Sequence, residues 1–408
     1  MTVTPLPDTM PPVSREAAGV WPSGIGELVA YGVERPGLIP LWVGEGDRPT
    51  PAFIAEAAHR ALRDGATFYT RMLGIPPLRE ALAEYVSRVY ADPVGPERFF
   101  VTVGGMHAFH TAIRIAAEPG DEVVLPTPTW SNFFGAIAMQ GARPVPVPMQ
   151  FDAGAGWSLD IARIAAAITP RTRAIVLNTP ANPTGWVATR ADLEAVLAIA
   201  RRHDLWIVAD EIYGRFCFDP AYETSGRAPS IRDVWQPEDR DRVLFVQTFS
   251  KNWAMTGWRV GWLEGPASIG RIVDGLVLYG TSGVATFLQH AAVTAIRDGE
   301  ALVAEQVAQA RAGRAIVCDA LSALPGVELP APPGAFYAFP RVPSEPDDVR
   351  LAKRIVDEAN VGLAPGSAFG PGGEGFLRLC FARSAADLTE AMRRMVPVLG
   401  GAVRACSG

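Results

Sequence analysis

Residues 173–214 read RAIVLNTPANPTGWVATRADLEAVLAIARRHDLWIVADEIYG, and the architecture of the chain can be taken from them. RAIVLN and LWIVAD are short apolar runs rich in Val, Ile and Leu, the length and composition of buried strands. Between them, ADLEAVLAIARRHD repeats apolar residues at intervals of three and four, the spacing of an amphipathic helix. The same alternation extends to both sides, from about Phe99 to Glu264. FFVTV leads into a helix from about Met106 to Ala117. EVVLP follows, then a helical stretch from about Trp130 to Gln140, then RPVPVP. VLFVQT and WRVGWLE complete the set on the far side. Seven β-rich runs alternating with helices predict an α/β domain, its sheet mainly parallel and flanked by helices. Ligands of such sheets bind where the strands end and the loops converge.

After about Val284 the pattern changes. A long helical region runs to about Leu324, a Pro/Gly break follows (LPAPPGAFY, 329–337), and short strands and helices continue to the end. This predicts a second, smaller α+β domain over 291–408. Residues 51–290 would form the large domain, and residues 1–50 an arm belonging with the small one.

The composition excludes several classes. Of 408 residues, 49% are hydrophobic and 20% charged, an ordinary balance for a globular enzyme. The net charge of −6 is spread along the chain, without the basic patch that nucleic-acid binding requires. Cys217, Cys318, Cys380 and Cys406 form no CxxC pair, so neither a disulfide framework nor a zinc site is expected. No apolar stretch approaches the ~18 residues of a membrane span. The first residues have neither the basic start nor the apolar run of a signal peptide, and a cytoplasmic protein is expected.

The cations are unevenly chosen: 35 arginines against two lysines, Lys251 and Lys353. A bias toward arginine across the genome is the plain cause. A guanidinium stays protonated and cannot form an imine with an aldehyde, so each surviving lysine is worth inspecting. Lys353 lies in DDVRLAKRIVDEAN, an amphipathic helix, and reads as a surface charge. Lys251 follows the strand VLFVQT, at the edge where a site is expected, with Thr248 and Ser250 beside it and Arg259 eight residues on. A neighbouring cation and desolvation both favour the neutral, nucleophilic amine. An arginine nearby can meet a phosphate with paired hydrogen bonds. The bland alternative is an exposed lysine and a salt-bridged arginine.

Four further segments carry chemistry. Asp210 and Tyr213 follow the strand LWIV, where an acid could equally cap a loop. NTPANPTG (178–185) is first a turn. TVGGMHAF (102–109) puts Gly104 and Gly105 between a strand and a helix, where unobstructed backbone N–H groups can cradle a phosphate. GFLRLCFA (375–382) offers Arg378, a residue type that grips a carboxylate by two parallel hydrogen bonds. His107 and His110 are helically spaced but lack a third ligand, and read as packing or surface residues.

TFSKNWAMTGWRVGW (248–262) resembles the lysine motif of the class I/II aminotransferases, pyridoxal-phosphate enzymes of fold type I. Other motifs similar to that family's occur in order from about Leu41 to Arg378. The resemblance implies that Lys251 carries pyridoxal 5'-phosphate as a Schiff base and moves the substrate's α-proton. It gives Asp210 the pyridine nitrogen, Asn182 and Tyr213 the ring hydroxyl oxygen, and Trp130, in PTPTWSNF, the ring face. Gly105 and Met106, through their main chains, with Ser250 and Arg259, would hold the phosphate. Arg378, Gly44 and Asn182 would hold the substrate's α-carboxylate. Tyr69, in FYTRMLGIPPLREAL, would reach the phosphate of a partner subunit, implying a homodimer with shared sites. The substrates implied are an amino acid and a 2-oxo acid, exchanged by ping-pong kinetics.

Two departures bear on substrate. Where some bacterial aspartate aminotransferases have a lysine after the glycine pair, this chain has Met106, which cannot bind a distal carboxylate. Arg71 is a candidate replacement, entering a partner's pocket. The segment IPLWVGEGDRPTP (39–51) mixes a WV start similar to carbon–sulfur β-lyases of the same fold with a GEGD nearer the aminotransferase pattern. A β-lyase is therefore the nearest rival, and a non-catalytic, cofactor-sensing regulator a more distant one. A nicotinamide oxidoreductase is opposed by the missing glycine fingerprint.

Overall fold

The computed structural model describes residues 24–405; the first 23 residues of the expected arm, and Cys406, lie outside the described residues. The seven runs form one sheet: β1 (Phe99–Thr102), β2 (Glu122–Thr127), β3 (Arg143–Pro148), β4 (Thr172–Asn178), β5 (Trp206–Asp210), β6 (Val243–Thr248) and β7 (Gly261–Glu264). Their spatial order is β1-β7-β6-β5-β4-β2-β3. β7 alone runs antiparallel to its neighbours; the pairs β2–β3, β2–β4, β4–β5 and β5–β6 are parallel. The inner strands are buried almost throughout, as continuous apolar runs require. β3 is the edge and is largely uncovered. Its prolines 144, 146 and 148 lack the N–H that would pair with another strand.

The helix Arg190–His203 starts on a capping box. Thr189 Oγ1 accepts from the backbone N–H of Asp192 at 3.1 Å, and the Asp192 carboxylate accepts from the N–H of Thr189 at 2.9 Å. It stops at Asp204 in the left-handed conformation, φ 53°. Leu193, Val196, Leu197 and Ala200 press its apolar face onto the sheet.

Register places the site. Asn178, the last residue of β4, sits opposite Asp210, the last of β5. Thr248 ends β6. Because β7 is reversed, its first residue, Gly261, faces both Thr248 and Thr102, at the ends of β6 and β1. One rim of the sheet thus collects Asn178, Asp210, Lys251, Arg259 and the Gly104 turn.

Three expected boundaries shift. The helix after Trp130 begins at Asn132, and that after β1 begins at Gly104. The expected strand WRVGWLE starts only at Gly261, because Thr256–Trp258 is a 3₁₀ turn and Arg259 is left-handed, φ 54°. The long helical region is two helices, Thr286–Asp298 and Glu300–Ser322, parted at Gly299. A Cβ there would lie 2.8 Å from the Trp253 ring and 2.2 Å from the carbonyl oxygen of Ala295. The first helix packs on Ala52–Arg63 and Pro76–Tyr90 beside the sheet; the second packs on the C-terminal helix Ala385–Ala405.

Around that second helix lies a separate apolar core built from Leu28, Trp42, Phe336, Phe339, Ile355 and Leu379, among others. Its small sheet sets Leu377–Cys380 between Tyr337–Ala338 and Ala364–Pro365. Ile212, Tyr213 and Phe216, just beyond β5, are part of this core and fasten the large sheet's rim to the smaller body. No helix among the described residues is long and apolar enough to cross a membrane.

Candidate active site

At the rim, between the sheet and the smaller body, lies a cavity of about 450 Å³. Gly44, Gly105, Met106, Trp130, Asn182, Asp210, Tyr213, Ser250, Lys251, Arg259 and Arg378 all line it. Every single-chain site residue expected from the sequence is therefore brought to one space.

Lys251 enters the cavity from the short helix Phe249–Asn252, begun by Thr248, whose hydroxyl accepts from the Ser250 N–H at 3.2 Å. Its Nζ donates to the carbonyl oxygen of Gly44 at 2.6 Å. Burial lowers the ammonium's pKa to about 8; Arg378 and Arg259 push the same way, against Cys380 and Glu45. Only about a tenth of this amine is unprotonated at pH 7, but that is far more than for an ordinary lysine, and it is the nucleophilic form.

Asp210 is 2% exposed at the end of β5. Burial raises its pKa to about 7, opposed by the N–H of Ile212, the Asn178 amide and Lys251. Asn178 holds it, its Nδ2 3.2 Å from both the carboxylate and the main-chain oxygen. The oxygen of the same amide accepts from the N–H of Asn182 at 2.8 Å. One side chain thus sets both the acid and the NPTG turn. The neighbouring Glu211 faces elsewhere: it accepts from Ser230 at 2.9 Å and borders a separate small polar space with Tyr90 and Arg232. A buried acid opening on the cavity without a cation bonded to it suits a cationic N–H on a ligand.

On the other side, Gly104 adopts φ +73°. A Cβ there would lie 2.5 Å from Nη2 of Arg259, so only glycine lets the guanidinium lie against the turn. Arg259 itself donates to the carbonyl oxygen of Thr256 at 2.7 Å. The first N–H groups of the helix Gly104–Ala116 have no acceptor within the helix, and its dipole favours negative charge there. Thr248 and Ser250, linked hydroxyl to hydroxyl at 2.9 Å, line the same side. This is a phosphate-shaped donor set. His107 serves the turn locally, where its Nδ1 accepts the N–H of Val103 at 3.1 Å and burial lowers its pKa.

Arg378 is 3% exposed, stacked between the Tyr337 and Phe369 rings, with 4.8 Å to each centroid. It donates to Asn182 Oδ1 at 3.0 Å and to the carbonyl oxygen of Trp42. Its Nε is buried without a partner among the described residues, an N–H left over for a ligand. Gly44 approaches so closely that a Cβ would fall 2.2 Å from the Tyr337 hydroxyl. That hydroxyl lies 2.7 Å from the Tyr213 hydroxyl. Trp130 lines the cavity edge-on to Phe133, with ring centroids 5.5 Å apart.

Tyr69 is placed apart from these. It is 94% exposed and does not line its own chain's cavity, nor does the exposed Arg71. Tyr337, the Trp42 carbonyl and the linking role of Asn178 had not been singled out in the sequence. Asn178 was visible beside the NPTG turn, whereas Tyr337 sits in an apolar run that signals only core.

The arrangement combines an amine of lowered pKa, a buried acid, a glycine turn able to cradle an anion and a buried arginine with an N–H to spare. Comparisons agree with it. The family model "Aminotransferase class I and II" matches residues 36–395. "Aromatic-amino-acid aminotransferase 2" of Thermococcus litoralis is 35% identical, with 93% of this chain and 96% of that protein covered. The "Aspartate/prephenate aminotransferase" of Thermus thermophilus is 37% identical, covering 92% and 94%. A solved structure of a Thermus thermophilus aspartate aminotransferase single mutant superposes with a TM-score of 0.87 at 35% identity, covering 95% of this chain and all of that one. The chain belongs to the class I and II aminotransferases, and its activity is amino-group transfer.

Proposed function

We propose that the chain holds pyridoxal 5'-phosphate on Lys251 and moves the amino group of an amino acid to a 2-oxo acid. The observation that carries this is the convergence in one cavity of a lysine amine with a lowered pKa, a buried acid and an arginine-backed glycine turn. When bound, pyridoxal phosphate supplies an aldehyde for amines and a ring able to accept the electron pair left by a departing α-proton.

The chain's residues do the rest. Gly105, Met106, Ser250 and Arg259 hold the phosphate. Asp210, kept in place by Asn178, stabilises a protonated ring nitrogen; Tyr213 and Asn182 bond the ring hydroxyl oxygen, and Trp130 covers a ring face. Arg378 grips the α-carboxylate beside Gly44 and Asn182, fixing which bond at Cα is aligned for cleavage. With the cofactor in place, the Lys251 amine would be the base that takes the proton from the substrate's Cα and the acid that delivers it to the cofactor's aldehyde carbon, across the substrate nitrogen. The expected boundary at 290 moves to Gly299, because the helix Thr286–Asp298 packs with the sheet: from 51 to there the chain is the cofactor-holding body, and the described residues before 51 and after 299 are the body that meets the substrate. The setting is cytoplasmic.

Borohydride treatment of the cofactor-loaded protein, followed by peptide mapping, tests the assignment. A reduced adduct on Lys251 is expected; a colourless protein with Lys251 unmodified removes it.

Tyr69 belongs to the site of a second copy. Phe68, Tyr69 and Tyr279 are 84%, 94% and 90% exposed, more aromatic surface than one chain has reason to leave wet. Sedimentation is expected to give a dimer, with Tyr69→Ala weakening cofactor retention about tenfold and leaving Lys251 reactive. A monomer with full activity would refute it.

A further inference from the structure

We propose that the amino acid taken by this site carries a neutral, apolar side chain, selected by Ile25, Val29 and Met106. This deepens the proposed function and depends on it. The charges bordering the cavity can all be assigned. Its cations among the described residues are Lys251, Arg259 and Arg378. Lys251 is tied to Gly44, Arg259 lies on the Gly104 turn, and Arg378 is sandwiched between two rings at the carboxylate position. A fourth cation, free to meet a second carboxylate, is absent from the lining.

The acids are Asp210 and Glu45. Glu45 accepts the Thr256 hydroxyl at 2.8 Å and adds negative charge to the wall, which opposes an anionic side chain. A distal carboxylate would be desolvated there without a partner.

The uncharged lining includes polar groups, Asn132 and Thr256 among them, and one apolar wall. Ile25 and Val29, four residues apart on the helix Gly24–Gly32, share one face and line the cavity. Leu28, between them, is buried in the smaller body's core and holds that face in position. Val43, Met106 and Phe133 continue the surface. Burying an apolar side chain here removes water from both surfaces, whereas a charged one finds no compensation. The named relatives differ in substrate at similar identity, so membership of the family leaves this choice to local residues.

The test measures kcat/KM, with one common 2-oxo acid acceptor, for leucine, methionine, phenylalanine, aspartate, glutamate and arginine. It is paired with calorimetric binding of unreactive 4-methylpentanoate, 3-phenylpropanoate and succinate to the loaded protein. The apolar donors are expected to exceed aspartate and glutamate by about 100-fold or more, and succinate to bind most weakly. Val29→Arg or, should that variant fold poorly, Ile25→Arg is expected to shrink the ratio at least tenfold. Preference for an acidic donor overturns the proposal, and its loss in Arg71→Ala would place the missing cation on a second copy. Preference for arginine overturns it in favour of Glu45, and equal binding of all three carboxylates overturns it as well. If Lys251 is trapped by borohydride in the same preparation, any of these outcomes removes only the apolar assignment. If trapping fails, the cofactor assignment falls with it.

Discussion

Lys251→Ala is expected to lower turnover by at least about 10⁴-fold while leaving the fold intact. A general base alone is worth up to about that factor, and under the proposed function this residue also supplies the covalent attachment. Its Nζ donates to the Gly44 carbonyl oxygen, and Asp210, which its charge helps to ionise, can take up a proton once it is gone. Lys251→Arg should be as inactive, because a guanidinium keeps the charge without offering a free lone pair. The lowered pKa gives a second readout. Only the neutral amine attacks an aldehyde, so the rate at which cofactor-free protein takes up pyridoxal phosphate should climb about tenfold per pH unit. It should level off above about 8, the value to which burial lowers this group. An ordinary lysine would keep climbing toward 10.5. Stopped-flow absorbance between pH 6 and 10 distinguishes the two, and a climb that continues past pH 9.5 would contradict the buried setting.

Asp210→Asn should cost about 10³-fold in kcat, the scale of losing a buried charge aimed at the reacting system. The substitution keeps the shape and the position beside Asn178 but removes the negative charge that, in the proposed function, stabilises a protonated ring nitrogen. Without its cofactor the wild-type acid is held near pKa 7 by burial, so it is mostly protonated below that value. A ring cation favours the ionised form, so loading should release a proton from this group around pH 6, and much less at pH 9. Proton release on loading, followed in weak buffer for wild type and Asp210→Asn, checks the sign. Equal release by the two proteins across this range, or a loss in kcat under tenfold, would remove the residue from its role.

Much of this was legible in the chain because the chemistry restricts residue type. An imine needs a lysine, and there are two. Strand-ending acids and glycine turns announce themselves at the seams of an α/β alternation, and the seven runs were each long enough to count. Contacts that arise only from packing were hidden. Nothing local to Tyr337 indicates that its hydroxyl will meet Tyr213, 124 positions away, or stand where a Gly44 side chain would be. At the break, Gly299 leaves no room for a Cβ beside the Ala295 carbonyl and the Trp253 ring, and helical periodicity on its own runs straight through it. Arg259 turns left-handed to reach the Gly104 turn, which shortens a strand that its β-rich sequence would extend. Tyr69 makes no contribution to the cavity of its own chain, and its exposure is visible only once the chain is folded.

The reversal of β7 has a mechanical consequence. Lys251 and Arg259 belong to a single excursion between two adjacent strands, closed at its base by the Phe249 N–H on the carbonyl of Val260 at 3.0 Å. Arg378 and Gly44 are carried elsewhere, on segments anchored in the other core. A hinge displacement between the bodies would therefore alter the grip on the substrate's carboxylate and leave the span from amine to phosphate anchor untouched. A cofactor held as proposed would then stay anchored at both ends while one reactant is exchanged for the next.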